Sequence, residues 1–117
     1  MTITAKNIFD GVPTSLPDEL IEKLAGAGDV SIERIVSRGH RSADGFWYDQ
    51  EHDEFVLLLG GAARLEFEGR EEVVALEPGD HLAIPAHLKH RLAWTSPDED
   101  TVWLAVHYRA AGSRSGC

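Results

Sequence analysis

The sequence predicts an all-β fold, an antiparallel barrel or jelly roll in one domain, on three observations. From Val30 onward the chain is a series of short runs rich in β-branched and aromatic residues. Turn-forming sets separate them, namely Gly60-Gly61, Gly69, Pro78-Gly79, Pro85 and Ser96-Pro97-Asp98. No helical pattern interrupts them, which argues against a parallel α/β sheet and for a sandwich or barrel. Strands are expected near residues 30–37, 45–50, 54–59, 62–68, 71–76, 80–84, 88–94 and 101–108.

Residues 1–29 read as an N-terminal extension carrying one short helix. Ser15 precedes Leu16-Pro17-Asp18, Leu20, Ile21 and Leu24 fall on one helical side, and Gly26 stands at the end. The barrel is expected over about 30–108 and a flexible tail over 110–117, with no internal repeat or linker. At 117 residues the chain is long enough to bury a core without disulfides. Its one cysteine, Cys117, has no partner within the chain and reads as a bystander.

Charge and composition exclude several classes of function. Eleven Lys and Arg against 20 Asp and Glu give a net charge of -9, which repels nucleic-acid backbones and anionic lipid. The longest apolar run, Phe55 to Ala63, is too short and glycine-rich for a membrane span. The first ten residues lack the apolar core of a secretory signal, so a cytoplasmic location is expected.

The most informative segment is Pro78-Gly79-Asp80-His81-Leu82-Ala83-Ile84-Pro85-Ala86-His87-Leu88-Lys89-His90. It resembles the second motif of the cupin superfamily, G(X)5PXG(X)2H(X)3N. Gly79, Pro85 and His90 fall at the motif offsets, while His87 replaces the usual glycine and Trp94 the asparagine. The first motif, G(X)5HXH(X)3,4E(X)6G, is matched only in its second half, by Glu54 and Gly61. Its histidine positions hold Tyr48 and Gln50 at the shorter spacing, or Trp47 and Asp49 at the longer. Tyr48 and Gln50 are preferred because alternate strand residues share a face and both offer oxygen. The resemblance covers roughly Val30 to Tyr108.

The resemblance implies a barrel pocket holding one divalent metal ion through Gln50, Glu54 and His90, with Tyr48 and His52 as further candidates. A buried carboxylate is costly unless paired or metal-bound. An amide and a phenol in place of two imidazoles make the site oxygen-rich, better suited to Mn, Fe or Ni than to thiolate chemistry and weaker in affinity, with Zn the remaining expected ion. His52 joins Gln50 and Glu54 only if the strand runs straight through, whereas the motif places it in a turn.

Tyr48, His52 and His107 are the candidates for moving protons. His107 alternates with Trp103 and Ala105 on the last strand, so it lines the cavity or packs in the core. His40, His81 and His87 read as exposed or structural, and Phe46, Trp47, Trp94 and Trp103 as core or pocket wall. Two functions follow: a metal-dependent enzyme of dioxygenase, isomerase or lyase type on a small organic substrate, or a non-catalytic small-ligand sensor without metal. A homodimer is expected for either.

Overall fold

The computed structural model describes residues 2–109. The expected flexible tail over 110–117, with Cys117, lies outside the described residues. Eight strands are present: β1 (Leu20–Ala27), β2 (Val30–Ser37), β3 (Asp53–Gly60), β4 (Ala63–Phe67), β5 (Val73–Leu76), β6 (His81–Ile84), β7 (His90–Thr95) and β8 (Thr101–Tyr108). They form an antiparallel five-stranded sheet in the order β1-β2-β8-β3-β6 and a three-stranded sheet in the order β5-β4-β7. The all-β architecture is the predicted one.

Alternation explains how the sheets close on each other. Val56 and Leu58 of β3, Leu65 and Phe67 of β4, Ile84 of β6, Leu92 of β7, and Trp103 and Ala105 of β8 share one buried cluster. Each pair stands two residues apart, so each strand turns one face to the core. Fully burying such side chains stabilises by about 1.5–3 kcal/mol each. Leu58 is completely buried.

The N-terminal helix is not formed; the segment is β1. The apolar spacing of Leu20, Ile21 and Leu24 suits a helix, but Ile21 and Leu24 are half exposed and bury no helical face. Pairing with β2 prevails, through Leu20 opposite Val36 to Ala27 opposite Val30, with an irregularity between Lys23 and Ala25. Gly28, at φ 58°, makes the tight connection that a side chain would resist. Tertiary pairing overrides a weak local preference.

The expected strand at 45–50 is reduced to a single bridge, Tyr48 to His90. Ala43 to Phe46 forms a turn, with Gly45 at φ 78° and Phe46 N donating to the Ala43 carbonyl at 3.0 Å. That turn leaves too little extended chain for a ladder. The segment is nonetheless pinned to β7, since Ser42 N donates to Leu92 O at 2.8 Å and Tyr48 N to His90 O at 2.7 Å.

Two arginines hold the extension before β1. Buried Arg34 donates to Glu22 at 2.6 Å and to the Ile8 carbonyl at 3.0 Å. Arg38 bonds Asp100 at 2.6 Å and the Thr14 carbonyl at 3.0 Å. Arg34 is the better shielded of the two, 7% exposed against 30% for Arg38.

Candidate functional site

The open space between the sheets is a cavity of about 580 Å³, a size that holds a small organic molecule. Its walls come from seven strands, all but β5, and from the 48–52 segment. Apolar Ile35, Val56, Leu65, Ile84, Leu92 and Trp103 share it with Glu19, Glu33, Tyr48, Gln50, His52, Glu54, His90 and His107. Every residue singled out from the sequence as a ligand or proton carrier therefore reaches one cavity.

Glu54 is the centre of the polar part. It is the second residue of β3, directly opposite Ile84 of β6 and His107 of β8. Its Oε1 lies 3.6 Å from His90 Nε2, and both side chains are 8% exposed. Its Oε2 lies 4.0 Å from His107 Nε2. One carboxylate thus faces two imidazoles from opposite sheets.

His90 is fixed from three sides. Its Nδ1 meets the Leu88 carbonyl at 3.0 Å, its backbone pairs with Tyr48, and the Tyr48 ring stacks on it at 5.5 Å between centroids. Burial pulls the His90 pKa down, but the Glu54 carboxylate and the Leu88 carbonyl outweigh it and leave it raised. Burial, together with the charges of Glu19 and Glu54, pushes the Tyr48 phenol up.

A second chain of groups runs along the same wall. His52 Nε2 lies 2.8 Å from His107 Nδ1, and His107 Nε2 lies 2.9 Å from Glu33 Oε1. His52 sits in the bend before β3, the turn position that the motif assigns it, and still reaches the cavity.

Glu33 was not legible as a site residue. Its one signal is the alternation Ser31, Glu33, Ile35, a glutamate on a strand face that also carries an isoleucine. Glu19 was missed for a similar reason, because it precedes a segment that reads as helix. Ser37 donates to it, and burial leads the effects that raise its pKa.

The remaining histidines lie elsewhere. His81 and His87 are exposed. His40 is partly buried, accepting from Arg38 N at 2.8 Å and meeting the Pro17 carbonyl at 3.1 Å. Of the aromatic set only Trp103 is buried in the core cluster. Trp94 lies opposite Arg64, whose guanidinium covers its ring at 4.8 Å, and Arg91 covers Trp47 at 4.4 Å. Cation–π pairs on the outer sheet face take these rings out of the expected pocket wall.

The donors fit a metal ion poorly. Glu54 and His90 have the right separation for two neighbouring ligands, and His90 is anchored through its second nitrogen as ligating imidazoles usually are. Among the described residues no third donor joins them: His107 has both nitrogens engaged, and His52, bonded to it through Nε2, does not group with Glu54 and His90. Among the described residues no group of three or more His, Cys, Asp or Glu is placed to hold a metal ion. Gln50 and Tyr48 line the cavity but bring neither charge nor imidazole.

Comparisons with known proteins agree with this architecture. The profile of the Cupin domain family matches residues 36–107. A crystal structure from Ralstonia eutropha, described as a "putative mannose-6-phosphate isomerase", is 45% identical, with a TM-score of 0.88 over 92% of this chain and 100% of that one. A cupin superfamily protein from Desulfitobacterium hafniense shares the fold at 21% identity, a TM-score of 0.68, and coverage of 85% of this chain and 84% of that one. A sugar phosphate isomerase of the cupin superfamily from Silicibacter pomeroyi does so at 24% identity and 0.61, covering 77% of this chain and 59% of that one. No curated protein matches the chain.

Proposed function

The chain belongs to the cupin family, and we propose that its barrel binds a small polar organic molecule and moves protons on it with its own side chains, as in sugar-phosphate isomerisation. One observation carries this reading. The Glu54 carboxylate stands between two imidazoles, His90 and His107, inside a cavity of substrate size. Aldose–ketose isomerisation needs a proton taken from one carbon, returned to its neighbour, and moved between the two oxygens. Paired carboxylate and imidazole groups perform such transfers, each worth about 10²–10⁴-fold in rate. Lys23 and Arg109, both exposed and both lining the cavity, are cations for a phosphate group.

In this reading Glu54 and His90 touch the substrate rather than a resident ion. The ligand set of Gln50, Glu54 and His90 for Mn, Fe, Ni or Zn is set aside because, among the described residues, no third His, Cys, Asp or Glu groups with Glu54 and His90 to hold an ion. The proposal includes a cytoplasmic location and a homodimer. Exposed Ile21, Leu24 and Val30 on β1 and at the start of β2 support the dimer.

The test is proton NMR in D2O with mannose 6-phosphate, fructose 6-phosphate and a panel of other sugar phosphates. Interconversion with deuterium at the carbon next to the carbonyl is expected, falling at least about 10²-fold in Glu54→Gln. Thermal stabilisation by these compounds without turnover would point to a sensor instead, and the absence of both turnover and stabilisation would overturn the reading.

A further inference from the structure

We infer that Glu33, His107 and His52 form a two-histidine proton relay that opens into the cavity at His52 Nδ1. The inference rests on the acid–base reading of the cavity and adds to it a base, a route and a positioning residue.

The tautomers follow from the partners. A carboxylate only accepts, so His107 Nε2 carries the proton that it donates to Glu33 Oε1 at 2.9 Å. In the neutral ring His107 Nδ1 is then a lone pair. It accepts from His52 Nε2–H at 2.8 Å. The proton on His52 is thereby placed on Nε2, and its Nδ1 is left as a free lone pair on a residue that lines the cavity. The two rings meet edge to face, with centroids 4.8 Å apart and planes at 81°, so the bond between them comes without stacking.

The step balances without any further reactant. A substrate C–H or O–H proton passes to His52 Nδ1, and the substrate keeps the electron pair. His52 Nε2–H then passes to His107 Nδ1, which makes His107 the cation and returns His52 to neutral. That cation lies between Glu33, 2.9 Å away, and Glu54 Oε2, 4.0 Å away. The return path delivers the proton to the neighbouring substrate atom.

The geometry also assigns a reason for the partly buried Glu33, whose side chain is 23% exposed. Among the described residues it pairs with no Lys or Arg, only with His107, itself 17% exposed. The charge is held where His107 needs a fixed orientation and a counter-ion.

The test has two arms. Long-range proton–nitrogen NMR of the wild-type protein, at a pH where both rings are neutral, should show His52 and His107 both protonated on Nε2. Either ring protonated on Nδ1 would overturn the relay. Glu33→Ala should release the His107 tautomer into a mixture while the fold stays intact, a change that a purely structural glutamate would not cause.

In the second arm, His52→Gln should lower kcat for sugar-phosphate interconversion at least about 10²-fold with little change in KM. Unchanged kcat contradicts the relay. The expected tautomers without any sugar-phosphate turnover contradict the isomerase reading alone. Turnover with the wrong tautomers contradicts the relay alone.

Discussion

Glu54 Oε1 lies 3.6 Å from His90 Nε2, and only 8% of either side chain is exposed. The two residues come from different sheets, β3 and β7, so their pairing exists only once the barrel has closed. Their mutual charge, screened little by solvent, sets how the cavity responds to pH.

The first prediction concerns that response. His90 should titrate above the ordinary imidazole value of about 6.5, because the Glu54 carboxylate outweighs the effect of burial. In Glu54→Gln the carboxylate is gone, burial acts with less opposition, and the pKa should fall below its wild-type value. A raised folded pKa adds stability that is full below the unfolded value and is lost as pH rises through the folded one. Denaturant melts across that window should show wild type losing this increment and Glu54→Gln losing less of it. Equal His90 titrations in the two proteins, read by NMR, would contradict the assignment.

A second prediction comes from the backbone of the second motif. His87 stands where the second cupin motif has glycine, and it is the one non-glycine with positive φ, 64°, among the described residues. Left-handed backbone costs an ordinary L residue about 1–2 kcal/mol. The side chain offsets part of this by bonding Asp49 at 2.8 Å, an exposed pair. His87→Gly should therefore be more stable than His87→Ala by about 1 kcal/mol in denaturant melts. An alanine variant as stable as the glycine variant would show the strain to be absent.

The glycine that closes the first motif has a steric reason. Gly61 has φ 84°, and a Cβ there would run into the Thr101 backbone and hydroxyl and the Asp100 carbonyl. Gly61→Ala should lower stability by more than about 2 kcal/mol, since both the backbone and the contact resist it. Thr101 is fully buried and bonds the Ala62 carbonyl at 3.2 Å, so it has no room to yield. A loss below about 0.5 kcal/mol, within the range of ordinary surface changes, would contradict this.

Much of the fold and part of the site could be read in the sequence. Seven of the expected strand positions coincide with β2 to β8, because alternation and turn residues act locally. The 45–50 segment and β1 could not be read. In the first, a turn at Gly45 shortens the chain available for pairing; in the second, strand pairing overrides apolar spacing that also suits a helix. Glu54, His90 and Gln50 were placed in one cavity by motif offset alone. Glu33 escaped, because its role depends on the register that sets Glu33 of β2 opposite Ala105 and Glu54 of β3 opposite His107 on the shared neighbour β8. No single segment contains that relationship.

The oligomer is a separate matter with its own measurement. Ile21, Leu24 and Val30 are 56%, 50% and 41% exposed on or beside the edge strand β1. Light scattering of the full chain should give the mass of a dimer, and Leu24→Glu should shift it toward the monomer. A monomeric wild type would contradict the expectation.

The central claim is that the cavity moves protons with its own residues and needs no resident metal. Metal analysis of tag-free protein, with turnover measured before and after exhaustive chelation, tests it most directly. Far less than one divalent ion per chain is expected, with sugar-phosphate interconversion unchanged by chelation. One tightly held ion per chain, absent from Glu54→Ala and His90→Ala, with activity lost on chelation and restored by Mn, Fe, Ni or Zn, would contradict it.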